Sequence, residues 1–172
     1  MPIPAVVSLS MCAMLLGGIA PVPTPSPLAA VPLPSESSVP MHARGTFEVQ
    51  VAPLPADTYA DATTLGRMTI DKQFSGDLTG TGKGQMLTGM GTAKGSAAYS
   101  AIERVTGTLA GRSGSFLLQH TGIMHDGAQQ LTITIVPSSG TGELSGISGS
   151  LAIIIEGKVH RYDLEYTLPA LH

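Results

Sequence analysis

Glu103, His120, Tyr99 and Lys72 are the side chains in this sequence whose types and spacing suit chemistry. A carboxylate beside an imidazole supports general acid–base catalysis, because each group can hold or release a proton near neutral pH. A phenol adds a third proton carrier, and an ammonium adds a fixed charge. The strand pattern puts all four on one inward face. Glu103 is expected opposite His120, with Tyr99 further along the Glu103 strand and Lys72 on the apolar face of its own strand. A buried carboxylate is costly unless paired, and pairing with an imidazole shifts both pKa values. The same side chains more readily read as a structural network that satisfies itself within a small core.

A second inward polar set comprises His160, Tyr162 and Tyr166, which read as core and barrel mouth. Tyrosine often buries its ring and sends its hydroxyl to a partner. His120, His160 and Glu103 are donors that suit zinc, but no ligand spacing supports a site, so neither metal nor cofactor is expected. His42, His125 and His172 are expected in exposed positions. Gly111-Arg-Ser-Gly-Ser115 lacks the final glycine of a nucleophile elbow. Gly80-Thr-Gly-Lys-Gly84 lacks the spacing of a phosphate loop.

The elements that must position these groups are strands. Gly45 to Val51 alternates Phe47, Val49 and Val51 against Thr46, Glu48 and Gln50. Arg67 to Ser75 alternates Met68, Ile70, Lys72 and Phe74 against polar residues. Leu78 to Gly91 is extended, but so rich in Gly and Thr that its facing is ambiguous. Gly111-Arg112 suits a two-residue hairpin and would set Val105 opposite Leu118, Gly107 opposite Phe116, and Glu103 opposite His120. Asp126-Gly127 sets Gly122 opposite Leu131, His120 opposite Ile133, and Leu118 opposite Ile135. Both turns put Phe116, Leu118 and His120 on the apolar face, and a one-residue slip would reverse every side chain. A last hairpin near Gly157-Lys158 turns Leu151, Ile153 and Ile155 inward with His160, Tyr162, Leu164 and Tyr166.

This makes an all-β fold: about eight short-linked strands in a single small antiparallel barrel, filled by side chains or able to hold one small ligand. Sixteen of the 21 glycines lie between Gly76 and Gly149. Repeated glycine inside strands suggests bends that curve a sheet toward closure.

The bulk composition narrows the rest. The 172 residues suffice for one domain. The net charge of −3, with no basic patch, argues against nucleic acid. One cysteine, Cys12, excludes an intrachain disulfide. Residues 1–20 are an apolar segment that reads as a signal peptide, although no Lys or Arg precedes the run. Export to the periplasm or outside follows if so, and a cytoplasmic location otherwise. The competing reading is a non-structural extension upstream of a start at Met41. The run is too short and Gly-rich for a convincing membrane span. Residues 21–41 are Pro-rich and read as a disordered linker. Residues 42–169 are the barrel domain.

Four segments together carry a family likeness. They are Leu65-Gly-Arg-Met-Thr-Ile-Asp-Lys-Gln-Phe-Ser-Gly-Asp-Leu78, Gly95-Ser-Ala-Ala-Tyr-Ser-Ala-Ile-Glu-Arg-Val-Thr-Gly-Thr-Leu109, Gly111-Arg-Ser-Gly-Ser-Phe-Leu-Leu-Gln-His-Thr-Gly122 and Val136-Pro-Ser-Ser-Gly-Thr-Gly-Glu-Leu144. In that order they resemble the bacterial domain-of-unknown-function family numbered 3224. The resemblance spans essentially all of 42–168 and implies a barrel similar to that of allene oxide cyclase. It implies no established activity. Such barrels often associate, so a homo-oligomer is left open, although no interface is legible in the strands.

The functional expectation is a barrel that binds a small, largely apolar molecule. Its catalytic form is isomerase- or cyclase-like chemistry carried by Glu103, His120 and Tyr99, with Lys72 as a further member. The alternative is a non-catalytic binding or structural module whose barrel is filled by its own side chains.

Overall fold

The computed structural model describes residues 39–55 and 65–170. The apolar segment, most of the Pro-rich linker and His172 lie outside the described residues. Among the described residues nine strands follow in chain order: β1 (Met41–Pro53), β2 (Leu65–Gly76), β3 (Leu78–Met90), β4 (Ala97–Leu109), β5 (Arg112–His125), β6 (Ala128–Ile135), β7 (Thr141–Gly142), β8 (Ser148–Glu156) and β9 (Val159–Thr167). No helix occurs among the described residues.

Eight of the strands close a ring in the order β4-β3-β2-β1-β9-β8-β6-β5, with β5 returning to β4. All pairings are antiparallel. The two-residue β7 hangs on β5 at Gly114 and Ser115. The fold is therefore the expected closed eight-stranded barrel with one short appended strand.

The wall is uneven. β4 and β5 pair along 13 positions, whereas β6 and β8 meet only at Thr134 and Ser150. Beyond that point, toward the β5–β6 and β8–β9 hairpins, no further ladder pairing joins the two strands. Continuing the register would have set Leu131 against Ile153. Instead, Leu131 and Ile155, on the inward parity of their strands, remain 42% and 62% exposed. Ile155, expected inside, is thus at an open lip. Val51, on the inward parity of β1, is 44% exposed at the same end.

The opposite half is packed. Phe74, Phe116, Tyr162, Leu78, Leu109, Leu144 and Leu164 are each almost wholly buried. Phe74 meets Tyr162 edge-on at 5.6 Å. The Tyr162 hydroxyl accepts the Leu78 N–H at 2.9 Å and lies 3.3 Å from the carbonyls of Ser75 and Leu78. It ties β9 to the β2–β3 corner. Tyr162→Phe deletes these bonds and leaves buried backbone groups short of partners. It is expected to cost about 1–3 kcal/mol, read as a lower urea midpoint at unchanged m.

One register expectation is corrected. The β4–β5 turn is Ala110-Gly111, with φ of 49° and 81°, rather than Gly111-Arg112. Both central residues are left-handed, as a type I′ turn requires. The pairs are Val105 with Phe116, Glu103 with Leu118, Ala101 with His120, and Gly107 with Gly114. The shift is two residues, so every side chain keeps its face. The Asp126-Gly127 register holds as read, with His120 opposite Ile133.

Candidate functional site

Three of the four candidate side chains converge inside the barrel. Lys72 arrives from β2, Glu103 from β4 and His120 from β5. They are 5%, 0% and 3% exposed. Lys72 Nζ donates to Glu103 Oε2 at 2.7 Å. His120 Nε2 lies 3.0 Å from the same oxygen, off the line of a well-formed hydrogen bond. Glu103 and His120 are therefore neighbours although they are not directly opposed. A diagonal offset of two residues still lies within reach of long side chains.

The site depends on what surrounds it. The Lys72 ammonium lies 5.0 Å from the Phe47 ring centroid and 5.8 Å from that of Phe74. Aromatic faces attract a desolvated cation and keep water away from it. Gly82, on the strand between β2 and β4, makes the salt bridge sterically possible. A Cβ added there would land on Glu103 Oε1. Neither the two phenylalanines nor Gly82 stood out in the sequence as site residues. Phe47 and Phe74 were legible as inward, but nothing tied them to Lys72.

The charge states follow from this packing. Burial raises the pKa of the Glu103 carboxyl, but the His120 N–H and the Lys72 ammonium together outweigh it, and the net shift is downward. Glu103 is thus a carboxylate at neutral pH. Its Oε1 has no hydrogen-bond partner among the described residues. A carboxylate held this way stabilises an adjacent proton carrier better than it accepts protons itself.

Tyr99 stands apart. It pairs with Gly122, one inward position nearer the open end than the Ala101–His120 pair. Its ring occupies the space a Cβ on Gly122 would need. Burial raises its pKa, so it remains a phenol. Its hydroxyl makes no hydrogen bond to a described residue. His160 lies against Phe47 at 5.3 Å between centroids, on the ring that the Lys72 ammonium also approaches. No cluster of three His, Cys, Asp or Glu fit for a metal forms among the described residues. His42 bonds Asp163 at 2.7 Å on the outer wall, and His125 is exposed.

The outer wall has its own apolar relief. Leu65, Leu87, Ile102 and Ile123 line two adjoining grooves across β2 to β5. These lie on the opposite side of the sheet from the Lys72–Glu103–His120 cluster.

Fold and site together define a closed all-β barrel with a buried Lys–Glu–His cluster and, among the described residues, exposed inward positions at one end. The profile of the family described as "Protein of unknown function (DUF3224)" matches residues 43–166, and the chain belongs to that family. A solved structure of a DUF3224 protein of unknown function from Shewanella oneidensis MR-1 is 43% identical. The match covers 77% of this chain and 100% of that one, with a TM-score of 0.72. No curated protein matches.

Proposed function

We propose that the barrel binds a small, largely apolar molecule at the end where β6 and β8 are no longer paired, above the Lys72–Glu103–His120 cluster. The observation that carries this reading is the exposure of Leu131 and Ile155, which sit on inward positions yet stay in contact with water. Inward apolar groups left uncovered at the rim of a barrel are a common form of ligand mouth. Half-buried Met68, Met86 and Met124 lie on inward positions at the same end and offer an adaptable lining.

Isomerase- or cyclase-like acid–base chemistry is the catalytic form of this reading. In it His120 would move the proton, Glu103 would hold the imidazole and stabilise its charged form, and Lys72 would keep Glu103 ionised. The competing reading is a module filled by its own side chains. The packed half around Phe74, Phe116 and Tyr162 favours it, and it predicts no binding at the lips.

The test is titration of the full chain with 1-anilinonaphthalene-8-sulfonate, alongside the variant Leu131→Glu/Ile155→Glu. Both positions are exposed, so folding should survive. Binding by the wild type with at least a tenfold loss in the variant is expected, since two charges at an apolar lip oppose an apolar ligand. Unchanged affinity, or no binding at all, would overturn the mouth.

A further inference from the structure

We infer that the molecule taken up at this mouth carries a hydroxyl-type hydrogen-bond donor on an otherwise apolar body, and sets it against Nδ1 of His120. This rests on the binding reading above and adds the polar chemistry of the ligand. The Glu103 carboxylate is an acceptor only, and Oε2 already takes the Lys72 ammonium. A ring nitrogen 3.0 Å from that oxygen, although off the line of a well-formed hydrogen bond, is repelled by the carboxylate if it carries a lone pair and attracted to it if it carries a proton. Nε2 therefore carries the proton.

A neutral imidazole has one N–H, so its Nδ1 is then an acceptor. The two ring nitrogens point in roughly opposite directions, so Nδ1 faces away from Glu103. Glu103 itself pairs with Leu118, one inward position further from the open end than His120. Nδ1 bonds to no described residue. The side chains directly beside His120 across the ladders are Ala101 and Ile133, and neither has a donor. The Tyr99 ring lies over Gly122, one inward position closer to the mouth.

Beside Ala101 and Ile133, Nδ1 thus stands as an acceptor with no donor among the described residues. A ketone or ether would bring acceptor against acceptor. A phenol, alcohol or enol supplies the missing donor. Sites built to pair with a ligand hydroxyl strongly reject the analogue that lacks it, because the buried protein group is then left unpaired.

The experiment compares 4-propylphenol with 4-propylanisole, which has the same apolar body and no donor. Calorimetric titrations of the full chain are run at about pH 8, the pH at which nitrogen-15 spectra are also recorded. At least tenfold tighter binding of the phenol is expected, with the preference lost in His120→Leu, where Lys72 and Glu103 still pair. Equal affinities would overturn this inference and leave apolar binding at the mouth standing. Binding of neither would overturn the mouth itself. Nitrogen-15 spectra of the wild-type histidines read the tautomer without any ligand. A neutral His120 with its proton on Nδ1 would overturn the inference regardless of the titrations.

Discussion

Lys72→Met is expected to cost about 3–5 kcal/mol of folding stability, because it leaves Glu103 as a buried charge with its main counter-ion gone. Methionine keeps most of the volume of lysine and the apolar contact with Phe47 and Phe74, so the loss isolates the charge. His120 alone compensates poorly, since its Nε2 approaches Oε2 off-line. Glu103→Leu should be similarly costly, for it strands the ammonium 5% exposed among aromatic rings. The double variant removes both charges and should lose clearly less than the sum of the singles. Urea unfolding of the four proteins in a double-mutant cycle measures this coupling. Additive losses, or a Lys72→Met change below about 1 kcal/mol, would show that the pair is not the buried ion pair described.

The barrel was legible from the sequence because inward and outward residues alternate so regularly. Phe47, Val49 and Val51, then Ile70, Lys72 and Phe74, declare their face without help from neighbours. Asp126-Gly127 fixed one register because its residues are those a type I′ turn selects. Ala110-Gly111 carries no such mark, since alanine rarely accepts a left-handed φ. The displaced register still brought Glu103 and His120 together, because a two-residue slip conserves parity and both side chains are long enough to close the diagonal.

The partnership of Lys72 with Glu103 was harder to see. It crosses β3, whose Gly/Thr-rich stretch gives no face of its own, and it depends on Gly82 leaving room. The early end of the β6–β8 pairing was not legible at all. Ile153 and Ile155 look like core, and only the single β6–β8 bridge at Thr134 and Ser150 explains why Ile155 meets water. Hydrophobic alternation reports which way a side chain faces, but not whether a neighbouring strand is there to cover it.

Acid should weaken the barrel through Glu103 specifically. Its folded pKa lies below the ordinary carboxylate value of about 4.5. The unfolded chain therefore binds a proton there before the folded one does. The stabilisation is complete above the ordinary value and is lost as pH falls from it through the folded pKa. For one proton the slope in that window approaches about 1.4 kcal/mol per pH unit. Asp163, depressed on the outer wall by its hydrogen bond to His42 and by Arg44, adds a weaker, solvent-screened dependence of the same sign. The two are separable, because salt screens the exposed group far more than the buried one. Urea unfolding across pH 3 to 6 in high salt should therefore keep most of the acid sensitivity of the wild type. The Lys72→Met/Glu103→Leu variant should lose it. A double variant with the same acid slope as the wild type would place the titrating group elsewhere and leave the cluster without its ionised carboxylate. The same carboxylate holds the proton on Nε2 of His120, so acid unfolding tests the charge that sets the acceptor at Nδ1.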